Sequence, residues 1–542
     1  MKVRYYFAGL LLSMVLASAV YWSMLPLSNK TKLVLRTYEH LQKESEQAAF
    51  NNRDYAASVS KTTLSTYNGY LSLKDVNDSK IIANRASSTQ SLLRNQTEYR
   101  LGELIQVSIE LYDGYGKHMT PGGDILRIWL TDPLQQASVN GYVKDHGNGS
   151  YTGYLMGLWT GNCIIKTLIA NTKEHISLVQ KHIEKHGQLY AMLGGFGKSK
   201  VVEKTTCSVK PDVYGLRDMC NLTTDNHGYH WYCGRPSHPN VTCLDWKTMH
   251  DVKTHNINST KVGFIRPYGH QLLKNSPTIR IRGNHDNVGS PDLPCYKRPY
   301  KDTWTEESPV GFFHHNKWNL RGCRITFVPS RKSYEKCLRG QYLLLLGDSN
   351  IRSWFWQIQK IIESNKTMNT EKLTPRKDKR TDLNLTMQWG CHEMPFYSGE
   401  PGFPRKHIQS VAWHLDEVPR LRKVIVVIHY AYHLFRVMPI EFRAHIRNAK
   451  LAIVRLFKRN PEAKVFIRGA HSITYPGNFD AVDYLRKIHE QILYEEMLEL
   501  HDKIVFLNEW DLTTCIANVN VHPSEKTVID MVNSFMGYLC GN

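Results

Sequence analysis

Acidic residues are scarce in this chain of 542 residues: 49 Asp and Glu stand against 69 Lys and Arg, a formal charge of +20. That imbalance predicts attraction to anions. The basic charge is dispersed apart from the run Arg376-Lys377-Asp378-Lys379-Arg380, so a solvated, non-specific surface stands beside a dedicated anion site as the alternative. No internal repeat is evident, which excludes a solenoid. No glycine-rich loop that would cradle phosphates is visible. Paired C-x-x-C spacing is missing too, which weighs against a structural zinc site.

Cysteines are nevertheless present, 11 in all. Cys207, Cys220, Cys233 and Cys243 cluster as a small disulfide-rich segment; a zinc site built from them with His227 and His230 is the alternative. The odd total leaves at least one thiol free or paired with another chain. Met1-Lys2-Val3-Arg4 followed by the apolar stretch Phe7 to Leu25 reads as a secretory signal. Ala17-Ser18-Ala19 offers a cleavage site, and the stretch is also long enough to remain as an anchor. Chain association with a membrane is expected only in that second case. Sequons begin at Asn29, Asn77, Asn95, Asn148, Asn221, Asn240, Asn258, Asn365 and Asn384. For a lumenal or secreted chain of this charge the expected polyanions are sialylated or sulfated glycans and acidic mucins, not nucleic acid.

The length fits two or three domains, each with its own core. After the signal or anchor (1–25), residues 26–80 are polar and read as a leader or stalk. Within 81–200, alternating runs such as Leu104 to Leu111 and Ile125 to Leu130 are separated by turns, with no helical period between them. They predict an immunoglobulin-like β-sandwich. The segment 201–310 holds the cysteine cluster and prolines and is expected to be a loop-rich connector. From 311 to 542 the period becomes β then α: Tyr342 to Leu346, Lys423 to Ile428, Lys464 to Ile467 and Lys503 to Asn508 are apolar strands. Helices are expected at Ile440 to Phe457, Ala481 to Leu500 and the C-terminus. That is an α/β domain with a parallel sheet covered on both faces, in an α+β chain overall.

The strand Tyr342 to Leu346 runs into Gly347-Asp348-Ser349, with Arg352-Ser353-Trp354-Phe355-Trp356 following on a helix. A serine at such a turn is a candidate nucleophile, its N–H lying at a helix N-terminus where an oxyanion is stabilised. His522-Pro523-Ser524 follows the last strand, with Ser524 as the N-cap of a final helix of Val528, Met531, Val532, Phe535 and Leu539. His522 therefore belongs to the same sheet edge as Ser349, in the order serine first and histidine last. A solvated loop histidine is the plainer reading.

The chain resembles the neurexophilin and PC-esterase domain (NXPE) family. Tyr99-Arg100-Leu101-Gly102-Glu103, Gly122-Gly123-Asp124, Asn148-Gly149-Ser150-Tyr151 and Leu158-Trp159 resemble the neurexophilin-type half. Gly347-Asp348-Ser349 and His522-Pro523 resemble the two ends of a PC-esterase, SGNH-like domain. The resemblance implies a lumenal O-acyltransferase or O-acetylesterase acting on glycoprotein sugars, foremost a sialic acid O-acetyltransferase with acetyl-coenzyme A as donor and no resident cofactor. Its alternative is a secreted binding glycoprotein that reaches a cell-surface receptor through the sandwich and carries a silent esterase fold. One position departs from the pattern: Val519 stands where an aspartate three residues before the histidine is expected. Asp511 is the candidate acid in its place, with a backbone carbonyl as the other way to orient the imidazole. His433 is a candidate for contact with the acyl oxygen or sugar, and Arg352 for a substrate carboxylate; structural roles are the alternative for both.

Overall fold

Alternation with period two becomes strand wherever one face can be buried. In β3 (Leu104–Glu110), Ile105, Val107 and Ile109 are buried and the residues between them are not. The computed structural model describes residues 69–198, 200–211, 218–251, 271–289, 291–363, 376–397, 402–420, 422–473 and 480–541. The signal or anchor, most of the leader, and the sequons at Asn29, Asn258 and Asn365 lie outside them. The six described sequon asparagines, Asn77, Asn95, Asn148, Asn221, Asn240 and Asn384, are all exposed.

Around β3 lie β1 (Thr89–Leu92), β2 (Glu98–Arg100), β4 (Ile125–Asp132), β5 (Ala137–Asn140), β6 (Tyr142–Asp145), β7 (Ser150–Met156) and β8 (Gly161–Asn171). One sheet runs β1-β3-β7-β6. Ile105, Val107 and Ile109 share a core with Ile128, Leu130, Val139 and Ile165 of a second sheet, so two layers enclose one apolar interior. Helix α1 (Lys173–His186) follows, capped by the Thr172 side chain at one end and by Gly187 at φ 82° at the other.

The stretch expected to be a loop-rich connector holds several strands. Strands β9 (Met192–Lys198), β10 (Val201–Ser208), β11 (Met219–Asn221), β12 (Tyr232–Gly234) and β13 (Trp246–Asp251) form one sheet, which the short strand Phe403–Pro404 extends beside β13. Disulfides Cys207–Cys233 and Cys220–Cys243 staple it, which removes those sulfurs from any zinc site. Cys295–Cys323 and Cys337–Cys540 add two more links, and Cys163, Cys391 and Cys515 are free and buried. Short β14 (Gln271–Leu272) and β15 (Thr278–Arg282) return to β8. Strands β16 (Gly311–His314) and β17 (Lys317–Leu320), placed by the sequence in the α/β part, extend the second sheet through β5. The reason is the two-sided burial of β16: Phe312 enters the sandwich core and Phe313 the larger core beyond it.

After α2 (Arg331–Leu338) comes β18 (Gln341–Gly347), then α3 (Ser349–Ile361), β19 (Arg376–Arg380), β20 (Leu385–Gly390) and β21 (Phe403–Pro404). The series continues with α4 (Val411–Asp416), β22 (Lys423–His429), α5 (Pro439–Arg459), β23 (Lys464–Arg468), α6 (Val482–Met497), β24 (Ile504–Leu507), α7 (Trp510–Cys515) and α8 (Glu525–Leu539). The sheet order is β19-β20-β18-β22-β23-β24, parallel throughout except for β19 at one edge. Leu343, Leu344, Leu345 and Leu346 alternate between the two faces and are all buried, so β18 has a strand on each side and both faces covered. Truncating one of them to alanine would cost about 3 kcal/mol. Strand β18 is also where the chain reverses its direction of travel across the sheet, β20 lying to one side and β22 to the other. A crevice opens at the carboxyl ends of strands at such a switch point.

Among the described residues no helix is long and apolar enough to cross a membrane. Four disulfides fit an oxidising, secretory-type compartment.

Candidate active site

The turn that leaves β18 is built for close approach. Gly347 has φ 142°, and a Cβ there would lie 2.6 Å from the His429 carbonyl oxygen on β22, so a side chain is excluded. Asp348 then caps α3: its carboxylate accepts the Asn350 N–H at 2.8 Å and is buried. Burial opposes the charge on Asp348, but the neighbouring His429 and His433 and the Asn350 N–H outweigh it and hold the carboxyl well below its ordinary range. Ser349 is the first residue of α3, half-buried, with a backbone N–H that has no acceptor inside the helix.

The loop between α7 and α8 brings His522 to the same place. Its Nε2 lies 2.7 Å from Ser349 Oγ. Ser524 caps α8 as its position before the apolar series predicts, accepting the Thr527 N–H at 3.3 Å. The imidazole is exposed, and Nε2 accepting the serine proton is the geometry of a base beside its nucleophile.

Asp511 does not belong to this pair. It is buried in the first turn of α7, where its carboxylate accepts Asn140 Nδ2 at 2.7 Å, Ser308 Oγ at 2.9 Å and Val310 N at 2.8 Å. Three donors from the sandwich side occupy it, so it ties β5 and the 308–310 segment to α7 instead of orienting His522. Val519, the position where an acid is expected, is 45% exposed. Among the described residues no carboxylate reaches the other ring nitrogen of His522.

His433 is 8% exposed. Its Nδ1 lies 3.1 Å from His392 Nε2, and its ring packs edge-on against Phe396 and Tyr397. Burial pushes its pKa well below the ordinary imidazole value, and it does the same to His429, down to about 4. Both rings are therefore neutral packing groups behind the turn. Arg352, one turn after Ser349, lies with its guanidinium 5.0 Å from the Trp356 ring centroid and 5.1 Å from that of Trp389. Burial, and then the charge of Arg376, which also packs on Trp356, lowers its pKa. It is a cation fixed by aromatic faces beside the site.

A cavity of about 540 Å³ lies between the sandwich and α6, with neither Ser349 nor His522 in its wall. Two ion pairs lie in its wall, Arg127 with Asp483 at 2.6 Å and Arg486 with Glu490 at 2.5 Å. Sequence reasoning passed over His471 and Asn518, which hold the His522 loop. The signal for His471 was available, since Arg468-Gly469-Ala470-His471 leaves β23 at the same sheet edge.

Two solved structures among those that match are only weakly similar. The Escherichia coli adhesin FdeC is 12% identical over 37% of this chain and 66% of its own, with a TM-score of 0.14. A candidate glycoside hydrolase from Bacteroides vulgatus is 10% identical over 76% of this chain and 56% of its own, with a TM-score of 0.15. This chain spans less than two thirds of either, and neither likeness bears on fold or chemistry. A match of another kind covers the part that carries the site: residues 318–540 match the NXPE family member 4-like C-terminal domain. Ser349, His522 and every strand of the parallel sheet fall inside that match, so the part of the chain that carries the site is similar to the C-terminal domain of NXPE family members.

Proposed function

We propose that this chain is a lumenal serine-dependent O-acyltransferase or O-acetylesterase acting on glycoprotein sugars, with sialic acid as the favoured acceptor. The observation that carries the reading is the 2.7 Å contact between Ser349 Oγ and His522 Nε2 at the switch point of a parallel sheet. Ser349 Oγ attacks the acyl carbonyl carbon while its proton passes to His522 Nε2, and the backbone N–H of Ser349 helps hold the oxyanion. The donor's leaving group departs with that proton. A sugar hydroxyl, or water in the esterase case, then attacks the acyl-serine, gives its proton to His522 and releases Ser349. Acetyl-coenzyme A is the proposed donor, and only Ser349 is assigned to it on this chain. In this reading the sandwich is of immunoglobulin type and the C-terminal domain of SGNH type. The six exposed sequons carry glycans, in keeping with a secreted or Golgi-lumen location, and the +20 charge favours acidic glycoproteins as partners.

The test is to trap the acyl-enzyme. Purified protein given acetyl-coenzyme A or p-nitrophenyl acetate should gain an acetyl group on Ser349, seen by peptide mass spectrometry and lost in Ser349→Ala. A specific observation favours a second reading: among the described residues no carboxylate stands behind His522. If neither acyl donor nor a fluorophosphonate probe modifies Ser349, the domain is silent and the protein acts as a binding glycoprotein through its sandwich.

A further inference from the structure

His522 stands on a loop, is exposed, and among the described residues has no carboxylate at its second ring nitrogen, yet a general base must be held to a fraction of an ångström to work. The hold comes from the residue before it. His471 Nε2 lies 2.9 Å from the Val521 carbonyl oxygen, which accepts its N–H. Three contacts fix His471 in turn. Arg468 Nη2 faces its Nδ1 at 3.4 Å, the Tyr432 hydroxyl accepts the His471 N–H at 2.9 Å and donates to its carbonyl, and the Tyr432 ring lies 4.6 Å from the imidazole.

These contacts also set the tautomer. A carbonyl at Nε2 demands a proton there, and a guanidinium at Nδ1 demands a lone pair. A second proton would point at the Arg468 charge. Burial, with that charge, accordingly pushes the His471 pKa well below the ordinary value, and the ring stays a neutral, one-way donor. A second tie runs in parallel: Asn518 Nδ2 donates to Ser472 O at 2.7 Å and to Asn520 O at 2.8 Å. Ser472 N is itself held by Thr513 Oγ1 at 2.8 Å. Pro523 restricts His522 from the other side to extended backbone.

We propose that His471, held by Arg468 and Tyr432, is the positioning residue for His522, anchoring the base through the Val521 carbonyl where an acid would otherwise orient the imidazole. The inference rests on the reading of Ser349 and His522 as nucleophile and base. His471 touches no reacting atom, so its loss should slow proton transfer without weakening substrate binding.

The experiment compares full-length wild type with His471→Phe, which keeps the ring volume but removes the donor, and His471→Gln, whose amide can still donate to Val521. Three readouts are taken: hydrogen exchange over the 516–524 segment, the rate of fluorophosphonate labelling at Ser349, and kcat and KM for p-nitrophenyl acetate. The expected result for His471→Phe is faster exchange in that segment, a labelling rate and kcat lower by on the order of 100-fold, and a nearly unchanged KM. His471→Gln should recover most of the rate. Unchanged exchange in His471→Phe overturns the anchoring, and faster exchange with an unchanged labelling rate overturns the positioning role. If His471→Phe does not fold, Asn518→Ala cuts the parallel tie and His471→Gln tests the donor. Exchange and rate that stay at wild-type values in Asn518→Ala, with His471→Gln as slow as a variant lacking the base, also overturn the proposal. A wild type that does not label at Ser349 sinks the nucleophile reading instead, and hydrogen exchange alone then decides whether His471 holds the loop.

Discussion

Ser349 Oγ and His522 Nε2 meet at 2.7 Å across 173 residues of sequence. The contact joins the two ends of the α/β domain. Ser349 is delivered by the strand at the centre of the sheet and His522 by the loop after its last strand, so the pair forms only when β18, β22, β23 and β24 have stacked in order. A disulfide between Cys337, in the helix before β18, and Cys540, just past α8, closes the same two ends.

Nucleophile and base that act through one proton are not additive. Ser349→Ala and His522→Ala should each lower acyl transfer by on the order of a thousandfold or more, and the double variant should be no worse than either. Turnover of the three variants measures this directly. A double variant far below both singles would mean that His522 works independently of Ser349.

Asp511 makes the opposite kind of prediction, on stability and not on rate. Asp511→Ala leaves the donors of Asn140, Ser308 and Val310 buried without their acceptor, at a cost of about 3 kcal/mol. Denaturant unfolding should show that loss, while turnover per folded molecule stays near wild type. Normal unfolding with collapsed turnover would restore Asp511 to the catalytic unit.

What the sequence made legible was whatever burial dictates locally. The four strands read from apolar runs fall within a residue or so of β18, β22, β23 and β24, and the expected Ile440 to Phe457 helix is α5, Pro439–Arg459. Ser349 and His522 were legible because strand-turn-helix context and a helix cap place both at one sheet edge. Asp511 misled because a carboxylate near a histidine in sequence says nothing about which way its helix turns. Here the donors of Asn140, Ser308 and Val310, remote in sequence, claim it. The basic run at 376–380 concealed β19, since an edge strand with solvent on one side needs no apolar period. Likewise β16 is a seam buried on both sides, and its four residues carry no alternation to mark which sheet they join.

Buried histidines give the fold an acid limit. Burial lowers His414, His429 and His489 to about 4 and sends His433 and His471 well below the ordinary value. Between about pH 6.5 and 4 the unfolded chain takes up protons on these rings that the folded one refuses, so unfolding is favoured as pH falls through that window. Glu174 and Glu509, raised to about 7 mainly by burial, act with the opposite sign, since the folded state holds their protons. His314, His392 and His501 are lowered as well, and Asp124, Glu306, Glu490 and Asp530 raised, so eight histidines stand against six acids and the balance still falls on acidification. Denaturant midpoints measured from neutral pH down to about 4 should fall steadily, and a flat or rising profile would contradict the burial of these rings as neutral groups.

The basic strand β19 sets the last prediction, because its charges are not equivalent. Arg380 is engaged by Asp382 and Glu335, and Arg376 lies over Trp356, whereas Lys377 and Lys379 are exposed. If the strand gathers acidic glycans, affinity for a sialylated mucin should fall steeply from low to physiological salt, where screening shortens the reach of exposed charges to about 8 Å. Lys377→Gln with Lys379→Gln should reproduce part of that loss at low salt, leaving turnover at saturating substrate unchanged. The competing role for lysines on an edge strand is to keep it from pairing with another chain. In that case the double variant would self-associate in sedimentation velocity while its mucin affinity stayed at the wild-type value, and charge steering by this strand would be wrong.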